Sequence, residues 1–354
     1  MAKGLDVGTM NIVSAQEADG NTQLVKERNC FIELEYTELA DQVLSRSDLI
    51  HTRAGDKVRV LGDEALEFAN IFNTEVQRPM SRGILASDAT SSMPMLKTLI
   101  EHVVGDPSHP GETLYFTSPT NPIDSDIDTL YHQRAITSFL NNLGYDAQFI
   151  HEGMAAVYTA LSDNEFTGLG ISFGAGMTNV CLSYYAVPVM QFSIARGGDW
   201  IDTQAAKATA MSQDRITAVK EESLTLATEL EITGAEGALA VYYDSLVEYL
   251  IEMICTELDD EDVNENLDIP VVITGGTSSP DGFVELFTQH LESADIPLSI
   301  SDVRHVDDPM YTVAQGTLIA AQSDSHPSTA APDDLDQRTA QANAADSSDW
   351  TFDF

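Results

Sequence analysis

Short apolar runs alternate with longer amphipathic stretches along the chain, the rhythm of an α/β fold. Gly4–Val7 and Ile12–Gln16 read as two strands around a glycine turn. Leu114–Thr117, Gln148–Ile150, Leu169–Phe173, Val180–Tyr185 and Ile269–Thr274 read as further strands. Asp63–Phe72, Met93–Val104 and the small-residue stretch Gly153–Leu161 read as helices. Leu130–Leu143 is a helix with apolar Leu130, Ala135, Ile136, Phe139 and Leu140, stopped by Gly144. A long helical stretch, Thr203–Ile232, is predicted to run into Ala235–Ile254. Ser279-Pro280 signals a helix over Pro280–Leu291, and Val313–Ala321 is the last helix. Ser323–Phe354 is rich in Ser, Asp and Ala and is expected to be a disordered acidic tail. It ends in Trp350-Thr-Phe-Asp-Phe354, either a short docking motif for an adaptor or a sticky terminus.

One unit repeats. Strand, glycine turn, strand occurs over residues 4–16 and again over 169–185. Two such units facing each other predict a cleft between two lobes. Gly8-Thr9-Met10-Asn11 and Gly174-Ala175-Gly176-Met177-Thr178 would bring backbone N–H groups to phosphate oxygens from two sides. Asp6, just before the first turn, is placed to hold a Mg²⁺-bound water. Gly275-Gly276-Thr277 follows an apolar strand and lets backbone approach a flat ring.

Composition narrows the classes. The 354 residues suit two domains or one large two-lobed one, and 43% hydrophobic content is enough for real cores. No run reaches the roughly 18 apolar residues of a membrane span. Met1-Ala2-Lys3 leads straight into a strand, so the protein is expected in the cytoplasm. Cys30, Cys181 and Cys255 are unclustered and read as free thiols. The formal charge is −40, from 17 Lys and Arg against 57 Asp and Glu. Such a surface repels nucleic acid and anionic lipid. The excess is either a device for solubility in molar salt or an acidic tail. The tail from Ser323 holds seven acids against Arg338, a net of −6, so the acid is spread through folded segments. That favours a high-salt cytoplasm, where a Debye length of about 3 Å makes the self-repulsion tolerable.

Other chemistries lack their motifs. There is no Gly-x-x-x-x-Gly-Lys loop, Gly-x-Gly-x-x-Gly fingerprint, His-Glu-x-x-His or paired-cysteine spacing. The remaining histidines are scattered.

With these motifs in order, the chain resembles the actin superfamily, closest to its MreB branch, over residues 4 to about 322. Arg78-Pro79-Met80-Ser81-Arg82-Gly83-Ile84-Leu85-Ala86 resembles that branch's Arg-Pro-x-x-x-Gly-x-Ile-Ala segment. Glu152-Gly153-Met154-Ala155-Ala156 resembles its Glu-Pro-Met-Ala-Ala hinge, and Gly197-Gly198-Asp199-Trp200-Ile201-Asp202 its Gly-Gly-Asp-x-x-Asp. Charge and motifs together resemble haloarchaeal relatives of the salactin or volactin kind. The resemblance implies an actin-like two-lobed ATPase fold, with duplicated ribonuclease-H-like domains and four subdomains. Lobe I would span 1–160, with subdomain IB at about 31–82. Lobe II would span 161–322, with subdomain IIB at about 200–255 starting at Gly198 and Asp199. Lys220 and Glu221, with Gly275, Gly276 and Thr277, would hold adenosine.

The same resemblance implies a filament subunit that binds ATP with Mg²⁺ and hydrolyses it weakly, acting in cell shape or DNA segregation. Direct nucleic-acid binding and membrane insertion are not expected. The alternatives are a soluble kinase of the superfamily and a non-hydrolysing nucleotide-binding scaffold. Three positions depart from the pattern. Ser172 stands where relatives carry Asp. His132 falls where they carry the Glu or Gln that positions the attacking water, with Gln133 next in line. Gly153 replaces the hinge proline.

Overall fold

The computed structural model describes residues 2–18, 20–38, 49–86, 89–226, 233–259 and 267–325. The Trp350–Phe354 segment lies outside them. β1 (Ala2–Val7), β2 (Asn11–Ala18) and β3 (Asn21–Arg28) form an antiparallel meander. β4 (Phe31–Glu35), β5 (His51–Ala54) and β6 (Lys57–Leu61) form a small sheet of order β4-β6-β5. Helix α1 (Asp63–Phe72) covers it, burying Ala65, Phe68 and Ala69 against Ile32, Val58 and Val60. A two-stranded turn, β7 (Met80–Ser81) and β8 (Ile84–Leu85), precedes α2 (Ala89–Val104). β9 (Glu112–Thr117), α3 (Leu130–Asn142), β10 (Tyr145–Ile150) and α4 (Glu152–Ala160) follow.

The second half repeats the plan. β11 (Gly168–Phe173), β12 (Thr178–Tyr184) and β13 (Val187–Ile194) form another meander. Then come α5 (Gly198–Thr209), α6 (Gln213–Ser223) and α7 (Gly234–Asp259). β14 (Asp268–Thr274), α8 (Phe283–Ser293), β15 (Ser299–His305) and α9 (Thr312–Ser325) complete it. One sheet runs β10-β9-β1-β2-β3, the other β15-β14-β11-β12-β13. In each, a three-stranded antiparallel meander adds two parallel strands beside its first strand. The repeat predicted from two hairpins is therefore a repeat of five-stranded sheets.

Each sheet carries its own core, around Leu5, Leu96 and Phe116 in lobe I and around Phe173, Leu246 and Ile273 in lobe II. Helices α4 and α9 lie side by side, tied by Thr159 Oγ1 donating to the Thr312 carbonyl at 2.7 Å. Helix α9 buries Ala314 and Leu318 against Val13 and Ala15 of lobe I, while α4 packs on β11 and β12 of lobe II. The close packing of α4 on the sheet requires glycine at position 153. A Cβ at Gly153 would lie 2.7 Å from Cys181 N, so any side chain would push the helix off the sheet. No helix among the described residues is long and apolar enough to cross a membrane.

Several predicted boundaries change. The single stretch Thr203–Ile232 is two helices, because Ala210 turns left-handed at φ 56 and Ser212 starts α6. Thr225 then pairs with Asp281 in extended form, and 227–232 lie outside the described residues. The helix expected from Pro280 starts at Phe283, because left-handed Gly282 caps it after a Pro280–Phe283 turn. Helix α9 continues to Ser325, into the stretch expected to be tail.

Candidate functional site

A cavity of about 600 Å³ separates the lobes. The two glycine turns, Gly8–Asn11 and Gly174–Met177, one from each lobe, both line it. The turns nearly touch. A Cβ at Gly176 would come within 2.3 Å of Gly83 N and 2.5 Å of Thr9 Oγ1, so only glycine fits there. Gly83 N donates to Thr9 Oγ1 at 3.0 Å, which joins the β7–β8 turn to the first glycine turn.

Both turns have their carbonyls held from behind. At the first turn, buried Asn29 donates its side-chain amide to Gly8 O and its backbone N–H to Met10 O, each at 2.9 Å. At the second, Gly174 O accepts from Gly198 N at 3.0 Å and Thr277 Oγ1 at 2.9 Å, and Ala175 O from Asp199 N at 2.8 Å. A turn whose oxygens point back into the protein presents amide dipoles to its other side, the electrostatics of an anion cradle. Gly198 and Asp199 thus act at the rear of the second turn and do not line the cavity. Asp199 also accepts both contacts from Arg78 Nη1, at 2.7 and 2.8 Å, which ties lobe I to the start of α5. Thr178 is fully buried, does not line the cavity, and donates to Arg196 O at 2.9 Å.

The floor holds two carboxylates. Asp6 accepts from Thr117 Oγ1 at 2.8 Å and Glu152 from Ser172 Oγ at 3.0 Å. Both line the cavity. Burial raises both pKa values, and the Asp6 charge raises that of Glu152 further. In the sequence Glu152 reads only as part of the hinge-like segment Glu152–Ala156. Its spacing one helix away from the turns gave no sign that it would meet Ser172.

Lys220, Glu221, Gly275, Gly276 and Thr277 also line the cavity, together with Leu224, Pro280 and Met310. Lys220 Nζ is committed to Asp202 at 2.8 Å and the Gly198 carbonyl at 3.3 Å. Asp202 is fully buried, and burial outweighs Lys220 in raising its pKa. Glu221 receives Arg28 from the opposite lobe.

His132 and Gln133 do not line the cavity. His132 is 1% exposed on the packed face of α3, and neither ring nitrogen has a protein partner. Burial lowers its pKa to about 4, so it is neutral at pH 7.

A sequence profile of the Volactin family matches residues 1–321. The chain belongs to the Volactin family. No curated protein matches it in sequence. Its fold is actin-like. It is similar to the subunit of a MamK double helical filament, at TM-score 0.70 and 18% identity over 90% of this chain and 98% of the other. It is similar to a non-polymerising MamK mutant bound to AMPPNP, at TM-score 0.57 and 18% identity, with the same coverage. It is also similar to MreB5 of Spiroplasma citri bound to ADP, at TM-score 0.62 and 14% identity over 97% of this chain and 98% of the other. At these identities the likeness establishes the fold of this Volactin member.

Proposed function

We propose that the chain is a filament-forming cytoskeletal protein that binds ATP with Mg²⁺ between its lobes. The observation that carries this reading is the pair of glycine turns, one from each lobe, that line one cavity, each with carbonyls held by hydrogen bonds. Gly8, Thr9, Met10 and Asn11 on one side and Gly174, Ala175, Gly176 and Met177 on the other are placed to surround a polyphosphate. The cavity volume suits a nucleotide. Similar folds captured with AMPPNP and ADP support the same reading.

Asp6 and Glu152 fit a divalent cation. They are two half-buried carboxylates whose charge is costly there, and no Lys or Arg pairs with either among the described residues. Mg²⁺ is typically bound by one or two carboxylates, waters and substrate phosphates. Bound there, it would neutralise phosphate charge and help orient a water for hydrolysis. Asp6 and Glu152 would hold its hydration shell, with Thr117 and Ser172 fixing their orientation. Lys220 would brace the adenosine wall through Asp202, while Gly275 and Gly276 let backbone approach the base. His132 and Gln133 do not line the cavity, so on this reading water activation would fall to the carboxylates that do.

Nucleotide bound by both lobes would fix their relative angle and favour head-to-tail addition. Such heterologous contacts do not close and generate filaments. The cellular role would be cell shape or DNA segregation, reached through an adaptor because the surface is strongly acidic. Sedimentation in molar KCl tests the reading. The protein should pellet with Mg²⁺ and ATP or AMPPNP and stay soluble without nucleotide. A monomer at every nucleotide and salt that phosphorylates a small molecule would make it a kinase instead.

A further inference from the structure

Among the described residues, three lysines and arginines line the cavity: Lys26, Arg28 and Lys220. Lys220 is spent on buried Asp202. Arg28 is different. It sits at the end of β3 directly opposite Asn11 in the β2–β3 register, so it is rooted beside the first glycine turn. Its Nη1 lies 3.7 Å from Met10 Sδ. From there the guanidinium crosses to the other lobe and meets Glu221 with both Nη atoms, at 3.3 and 3.1 Å.

That pairing is easily exchanged. The Arg28 and Glu221 side chains are 28% and 40% exposed, and ion pairs so open to water are weak. A guanidinium fork accepts phosphate oxygens with the same two-pronged geometry as a carboxylate. A polyphosphate held by the first turn would lie next to this fork and carry more negative charge than Glu221. Glu221, once released, is free to accept hydroxyls on the adenosine side.

Resting on the nucleotide reading above, we propose that Arg28 is a phosphate ligand of this cleft. It leaves Glu221 for the nucleotide's polyphosphate, exchanging a contact between the lobes for a contact with the ligand.

The test is calorimetric titration of the full chain in molar KCl with Mg²⁺-ATP and, separately, with adenosine. Wild type, Arg28→Ala and Arg28→Lys are compared. Loss of Arg28 should weaken ATP by about 10- to 100-fold, the range for a charge-assisted hydrogen-bonded contact, and leave adenosine unchanged. Arg28→Lys, which keeps the charge without the fork, should fall between and guards against misfolding of the alanine variant. Equal losses for ATP and adenosine would make Arg28 a general clasp and overturn the proposal, as would no loss for either. A wild-type protein that binds neither would overturn the nucleotide reading itself.

Discussion

The Ser172 hydroxyl donates to Glu152 Oε2 at 3.0 Å across the floor of the cavity. A strand end without a carboxylate is thereby joined to a helix start that carries one. On the reading proposed above, the metal-holding carboxylate that Ser172 does not supply would be Glu152, beside Asp6; burial and the Asp6 charge push its pKa up to about 8, so a bound cation would favour its charged form. Glu152→Gln should therefore weaken Mg²⁺-dependent nucleotide binding by about 10- to 100-fold, with smaller effect on nucleotide without metal. Ser172→Asp would place a third carboxylate on the same floor. Like charges there repel, so it should lower stability without metal by about 1–3 kcal/mol. Titration with and without Mg²⁺, together with thermal unfolding, checks both. A Ser172→Asp protein that gains metal affinity at no loss of stability would show that Glu152 does not serve as the substitute.

Asn29 should matter as much as the glycines it supports. It is fully buried and holds Gly8 O through its amide. Asn29→Ala leaves that carbonyl without its donor. The expected cost is about 1–3 kcal/mol of stability, and nucleotide affinity should fall with it because the first turn loses its orientation. Asn29→Asp is the sharper variant. It replaces the donor with an acceptor facing a carbonyl, and should be worse than alanine for both readouts.

The glycine turns were legible because tight backbone approach admits little else, and the helices because their apolar period is strong. Asn21–Arg28 carries no strand signal in the sequence. It is the edge of its sheet, its residues are exposed or half-buried, and it shows no apolar alternation. Arg28 and Asn29 went unread with it, although they buttress the first turn. Nothing in their spacing marks them, since their partners are 18 or more residues away. His132 carried a usable sign. It precedes Ile136 and Leu140 at intervals of four, the apolar stripe of α3, and that stripe is buried.

His132 makes a pH prediction. Its folded pKa, about 4, lies below the ordinary 6.5 because burial disfavours the charged ring. Below pH 6.5 the unfolded chain takes up this proton and the folded one does not, so stability falls as pH drops toward 4. The contribution is about 3 kcal/mol at the lower end. His132→Leu keeps the packing, removes two unpartnered ring nitrogens, and should lose less stability over that window than wild type. Denaturant unfolding at pH 7, 5.5 and 4.5 measures the difference. Parallel slopes would mean that the ring is protonated in the folded protein. Phosphate release by the same variant, measured per filament subunit, should match wild type if the cavity carboxylates manage the water.

Salt should control both fold and assembly. The chain carries −40, and among the described residues the ion pairs engage a minority of the acids. At about 0.1 M salt the Debye length is near 10 Å, so carboxylates repel across a subunit and across any interface between two subunits. At molar salt it shrinks to about 3 Å and only near neighbours interact. The paired contacts respond in the opposite sense. The half-exposed Arg78–Asp199 bridge between the lobes should weaken as salt rises. The balance is set by number, because 57 acids face 17 bases. Melting temperature and pelleted fraction should both rise from 0.1 M to molar KCl. KCl and NaCl at equal concentration should act alike if screening is the cause. A strong preference for one cation would point to specific carboxylate binding, and full assembly in dilute buffer would remove salt from the account.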